Sequence, residues 1–219
     1  MDETLIHVID FEGSRQSGIL EYGLVTLEGR RIVEVHTRLC ASEGTIADHE
    51  RGQHGISEEA LVGETSFREE WGRFASLREA GPFCAHNATF EDNLLRSIWP
   101  TPRLSPDFSG TGKAAATWGP WLDTLYLYRS IYPGLDSYNL ASLIELFALK
   151  KELEEQALIY CPAKRRRYHC ALYDSLSSAL LLKRLYDEPE LEGLSLPWLL
   201  RHSAASAASR DVLGQQELF

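Results

Sequence analysis

Asp10 and Glu12 stand two residues apart at the end of an apolar run, Leu5-Ile6-His7-Val8-Ile9. That run reads as a buried strand, and side chains at i and i+2 of a strand leave the same face. Two carboxylates therefore converge there, while Phe11 points into the opposite layer. Like charges side by side repel and raise each other's pKa, a cost that a divalent cation between them removes. Hard oxygen donors suit Mg²⁺ or Mn²⁺. The pair points to metal-assisted phosphoryl chemistry. More acid and histidine pieces follow: His86-Asn87-Ala88-Thr89-Phe90-Glu91-Asp92, then Asp123, then His169 with Asp174.

The elements that must position these residues can be read in outline. Residues 5 to 40 read as three strands, with Glu28-Gly29-Arg30 as a hairpin signal between Ile19–Leu27 and Arg31–Leu39. Residues 41 to 63 lose periodicity and read as a loop carrying His49 and His54-Gly55-Ile56. Phe67, Trp71, Phe74 and Leu77 share one face of a helix predicted over Glu64–Leu77. Pro82–Ala85 reads as a short strand, and Asn87 as the cap of a helix from Ala88 to about Trp99. After a Pro/Gly-rich break over 100–120, a new element begins at Trp121, with Asp123 as an N-cap. Ser137 is placed to cap a helix over Tyr138–Ala148, and a final helix is predicted over Ala171–Tyr186. From Arg201 onward an Ala/Ser-rich stretch reads as a tether, so residues 1–200 form the expected domain and 201–219 a tail.

Composition narrows the class. The 219-residue chain is 44% hydrophobic, ordinary for a globular core, and no stretch of ~18 apolar residues suggests a membrane span. Cys40, Cys84, Cys161 and Cys170 lack metal-finger spacing and read as reduced thiols. The acidic opening Met1-Asp2-Glu3-Thr4 does not read as a secretory leader, so the expectation is cytoplasmic. A net charge of −10 argues against a protein that coats nucleic acid non-specifically. The basic run Lys164-Arg165-Arg166-Arg167-Tyr168, directly before His169, reads as a grip on a single-strand backbone, with Tyr168 available for stacking.

Strand hairpins first, then helices alternating with strands, describe a mixed-sheet α/β fold. Here the sequence resembles the DEDDh 3′–5′ exonucleases, the group that includes the proofreading epsilon subunit of DNA polymerase III and ribonuclease T. The resemblance runs from about Ile6 to Leu185 and rests on five pieces in the family's order. These are Asp10-Phe11-Glu12, His54-Gly55-Ile56, His86-Asn87-Ala88-Thr89-Phe90 with Leu94-Leu95, Asp123-Thr124-Leu125, and His169 followed by Asp174. It departs from the family pattern at Gly13-Ser14 and in the second motif, where Glu91 stands in place of Asp and Asp92 is the alternative acid.

The resemblance implies a ribonuclease-H-like fold, a mixed β-sheet flanked by helices. It implies a 3′–5′ exonuclease using two Mg²⁺ or Mn²⁺ ions held by Asp10, Glu12, Glu91 and Asp174, with His169 as general base. Imidazole suits that work because it titrates near ~6.5. Phe11, His86, Asn87 and Phe90 would meet the substrate. Single-stranded DNA is the favoured substrate. RNA trimming and a catalytically impaired binding scaffold are the alternatives. Gln215-Gln216-Glu217-Leu218-Phe219 resembles the peptide by which bacterial replication and repair proteins dock on the sliding clamp, with Gln215, Leu218 and Phe219 as anchors.

Overall fold

The computed structural model describes residues 4–110, 112–188, 191 and 194–204. Strand β1 (Leu5–Ser14) pairs antiparallel with β2 (Gly18–Glu28), and β2 with β3 (Arg31–Leu39). Strand β4 (Phe83–Ala85) runs parallel to β1. A two-strand excursion, β5 (Ser105–Pro106) with β6 (Ala114–Ala115), precedes β7 (Leu122–Asp123), which runs parallel to β4. The main sheet has the order β3-β2-β1-β4-β7. The carboxyl ends of β1, β4 and β7 therefore lie at one edge, where open α/β sheets bind ligands.

Alternation along β1 sends side chains into two cores. Ile6 and Val8 pack with Leu176, Ala179 and Leu180 on one face. Ile9 and Phe11 pack with Phe67, Phe74, Phe83, Trp99 and Trp118 on the other. Both faces are covered, which is why β2 is buried along nearly its whole length. The helices are α1 (Asp48–His54), α2 (Trp71–Ala80), α3 (Ala88–Ile98), α4 (Thr124–Ile131), α5 (Leu140–Leu146), α6 (Lys150–Tyr160), α7 (Ala171–Asp187) and α8 (Leu196–His202). Helix α7 rests its first turn directly on β2 at Gly23. A Cβ there would lie 2.3 Å from the Ala171 carbonyl oxygen, so only glycine allows the approach that places Asp174 over the end of β1.

Several sequence expectations are corrected. The stretch read as a loop contains α1, whose first-turn Glu50 accepts from the Ala47 N–H. The helix expected from Glu64 starts at Trp71, after a 3₁₀ turn over Phe67–Glu70 capped by Ser66. Asn139, not Ser137, caps α5, because its side chain accepts from the Ser142 N–H at 2.8 Å. Helix α6 has no counterpart among the elements expected from the sequence. Asn87 adopts φ 74° and its side chain caps nothing. Instead Asp123 accepts from the N–H groups of Asn87 and Ala88, and from Leu125 at the start of α4, so one carboxylate serves two helices. Helix α8 continues past residue 200. Ser203 is buried and accepts from the Asp123 N–H at 2.9 Å, so the chain through Ser203 belongs to the domain. Gln215, Leu218 and Phe219 lie outside the described residues. No helix among the described residues is long and apolar enough to cross a membrane.

Candidate active site

A cleft of about 360 Å³ opens at the carboxyl ends of β1 and β4. Asp10 and Glu12 enter it from β1, Glu91 from the first turn of α3 and Asp174 from the first turn of α7. His169, in the turn before α7, stands exposed at its rim with φ 60°. One donor atom each from Glu12, His169 and Asp174 lie within 4.8 Å of one another. Asp174 is held by the His169 backbone N–H, which donates to its Oδ2 at 2.9 Å. Glu91 accepts from the Phe11 backbone N–H. The remaining oxygens, Glu91 Oε2 and Asp174 Oδ1, are buried without a hydrogen-bond partner. Such atoms are costly unless something satisfies them. Oxygens of this kind, turned to one cleft, fit a hard divalent cation.

Electrostatics lead to the same conclusion. Burial, then the neighbouring charges of Glu91, Asp174, Glu12 and Glu21, push the Asp10 carboxyl well above the ordinary range. Burial and Glu12 raise Glu91 likewise. Glu12 is pushed to about 8 and Asp174 to about 7, burial being the main cause of each. The metal-free chain therefore holds protons that the unfolded chain has released. Unfolded Glu12 would lose its proton near 4.5, folded Glu12 only near 8, so stability falls as pH climbs between these values. Buried His7 and His86, lowered to about 4, act in the opposite sense, but only below their ordinary 6.5. In EDTA the melting temperature should thus decline from pH 6.5 to 8, and added Mn²⁺ should raise it more at pH 8 than at 6.5. A flat or rising EDTA profile over that window would dismiss the crowded-carboxylate account.

The second-motif acids part company. Glu91 is buried in the cleft, whereas Asp92 faces away, bridging Arg96 at 2.7 Å and accepting from Trp121 Nε1 at 2.9 Å. Adjacent helical residues point about 100° apart, so both cannot serve one site. Glu91→Ala should lower turnover at least about tenfold more than Asp92→Ala, whose carboxylate is turned to Arg96 and Trp121 and contacts none of the cleft acids. Single-turnover rates for the two variants provide the check, and the reverse order would transfer the role to Asp92.

The other expected residues divide. Phe11 is buried in the aromatic core and borders the cleft floor, and Asn87 and Phe90 are exposed on its wall. Both ring nitrogens of His86 are engaged: the Tyr138 carbonyl lies 2.8 Å from Nε2, and the Thr124 hydroxyl 2.9 Å from Nδ1. A carbonyl only accepts, so Nε2 carries the proton and the ring edge is committed to the fold.

The basic run needs correcting as a free phosphate grip. Arg165 pairs with buried Glu21 and donates to the His54 carbonyl. Arg166 donates to the Cys161 and Leu158 carbonyls at the end of α6, away from the cleft. Arg167 donates to the Gln53 and His54 carbonyls, and Tyr168 packs edge-on against Tyr173. Unpaired carbonyls at helix ends compete for guanidinium donors, and here they win. The run works as a strap that seats the His169 turn on α1.

Two residues escaped the sequence reading. Glu21, opposite Glu12 in the β1–β2 register, is buried and accepts from the Ala171 N–H at 2.9 Å. It caps α7 and anchors Arg165. A carboxylate in the middle of a largely apolar strand is the available signal. Gln53, on α1, places its side-chain nitrogen 3.1 Å from His169 Nδ1, a contact no spacing rule reveals.

No family model matches the chain, and no curated protein matches it. Solved structures do. Exonuclease X, in complex with 5′ overhanging duplex DNA, superposes with a TM-score of 0.65 at 20% identity, covering 91% of this chain and 99% of that one. The nuclease domain of 3′hExo, a DEDDh family member bound to rAMP, gives 0.58 at 15% identity over 86% and 94%. E. coli Exonuclease I, in complex with a dT13 oligonucleotide, gives 0.58 at 14% identity over 83% of this chain and 41% of that one. The chain has the ribonuclease-H-like fold that these exonuclease structures share.

Proposed function

We propose that this chain is a metal-dependent exonuclease that hydrolyses phosphodiester bonds at nucleic-acid 3′ ends. The observation that carries the reading is the convergence of Asp10, Glu12, Glu91 and Asp174 in one cleft, with His169 at its rim. On this reading Asp10, Glu12, Glu91 and Asp174 would hold two ions, Mg²⁺ or Mn²⁺. Two such ions, when bound, supply activation of a water and stabilisation of the departing 3′-oxygen. Glu12 and Asp174 would complete one of the ion positions, and His169 would take the water's proton on a ring nitrogen. Phe90 and Asn87 seat the terminal nucleotide against the wall. The exonuclease structures of the same fold support the substrate class, two of them holding DNA and one rAMP.

The test is a 5′-labelled oligonucleotide offered as single-stranded DNA, duplex DNA and RNA, with Mg²⁺, Mn²⁺ or EDTA. Shortening from the 3′ end, lost in EDTA and fastest on single-stranded DNA, is the expected result. Preference for RNA would make the enzyme a trimming ribonuclease. Binding without cleavage in either metal would leave a scaffold.

A further part of the proposal is that Gln215, Leu218 and Phe219 dock this cytoplasmic enzyme on a sliding clamp. Two apolar anchors, Leu218 and Phe219, offer weak, roughly micromolar affinity once ordering is offset. Deleting residues 215–219 should abolish clamp binding in a titration and leave hydrolysis of a free oligonucleotide unchanged. Equal clamp affinity for both chains would refute it.

A further inference from the structure

Most arginines of this acidic chain are committed. Arg38, Arg51, Arg68, Arg73, Arg96 and Arg184 pair with carboxylates, and Arg78 is buried on backbone carbonyls. Arg129 differs. It stands exposed on α4, and no carboxylate pairs with it among the described residues. Its guanidinium lies over the rings of both Tyr126 and Tyr138, 5.6 and 5.4 Å from their centroids. A cation held between two half-buried rings costs little further ordering when it meets an anion.

The place matters as much as the chemistry. Tyr138 accepts through its carbonyl from His86, whose ring forms part of the cleft wall. Tyr138 thus carries the guanidinium over its ring and holds the His86 ring by its carbonyl, which ties Arg129 to that wall through one residue. The cleft itself is lined by carboxylates and repels a polyanion until cations fill it. The arginines of the basic run are turned onto carbonyls and Glu21. A nucleic-acid strand leaving the cleft therefore gains from a further cation beyond those arginines.

We propose that Tyr126, Arg129 and Tyr138 form a second contact for the substrate. They would receive a phosphate and an adjoining base of single-stranded nucleic acid just upstream of its 3′-terminal nucleotide. An exposed arginine beside aromatic rings is the usual means of holding a single strand without reading its sequence. The inference rests on the proposed exonuclease reading for its direction, but the contact itself is a matter of binding.

The experiment measures Arg129→Ala, Arg129→Lys and the wild-type chain in two ways. Fluorescence anisotropy in Mn²⁺ follows a fluorescein-labelled oligothymidylate, protected from hydrolysis by phosphorothioate linkages at its 3′ end, across a salt series. Hydrolysis of the p-nitrophenyl ester of thymidine 5′-monophosphate, in Mn²⁺, reports the terminal subsite alone. Arg129→Ala should raise Kd for the oligothymidylate roughly tenfold, the scale of one lost stacked contact. The slope of log Kd against log salt should shrink by about 0.7, one single-strand phosphate. Arg129→Lys should keep the slope, and ester hydrolysis should match wild type in both variants.

Unchanged affinity and slope in Arg129→Ala would overturn the proposal, as would a loss of ester hydrolysis together with binding, which would assign Arg129 to the fold. Absence of ester and oligonucleotide hydrolysis in the wild type, with binding still dependent on Arg129, would remove the exonuclease reading and leave this contact standing.

Discussion

Asp10→Ala and Asp174→Ala should each abolish shortening of a labelled oligonucleotide while the chain stays folded. Both side chains reach the cleft from rigid elements, the end of β1 and the first turn of α7, so neither can be replaced by a neighbour shifting into its place. Loss of an outer-sphere partner typically costs ~10–100-fold, and loss of a carboxylate in the proposed role of ion ligand should exceed that. Stability should move the other way. Burial first, then Glu91, Asp174, Glu12 and Glu21, make the Asp10 carboxyl costly to ionise, and its removal lifts that penalty, so metal-free Asp10→Ala should melt no lower than wild type. Asp174 has a second duty, accepting from the His169 backbone N–H. Asp174→Asn keeps that acceptor and removes the charge, separating a lost ion site from a loosened turn. Near-normal turnover of any of these variants at saturating Mg²⁺ would refute the two-ion assignment.

His169→Asn should lower turnover by ~10²–10⁴-fold, the usual range for a general base. Asparagine is the right replacement because His169 has φ 60°, a conformation asparagine adopts more readily than most residues. The Mn²⁺-dependent rise in melting temperature should be retained, since the carboxylates remain. The pH–rate profile should lose the limb that a titrating base contributes. Loss of the Mn²⁺ effect would recast His169 as an ion ligand, an arrangement its closeness to Glu12 and Asp174 makes worth testing. An unchanged rate and profile would leave it structural.

The sequence alone determined the period-two face that puts Asp10 and Glu12 together and sends Phe11 the other way. Strand geometry enforces that separation, and the aromatic core around Phe11 shows it. It also determined the hairpins at the start and the span of α7, because β-branched runs and one long apolar periodicity are local signals. Local signals were weaker where tertiary contacts compete for the same polar groups. Asn87 reads as a cap, yet Asp123 captures the α3 amides, because two helices start side by side and one carboxylate can serve both.

Lys164–Arg167 reads as a solvent-facing grip, yet buried Glu21 and the open carbonyls of α1 and α6 engage the three guanidiniums, with Arg166 and Arg167 still exposed. Glu91 and Asp92 could not be ranked by composition, being neighbours of like charge. Only the docking of α3 against the cleft decides which one is buried among the other acids and which is left to Arg96. Gln53 meets His169 across 116 positions of sequence, a distance over which no periodicity carries information.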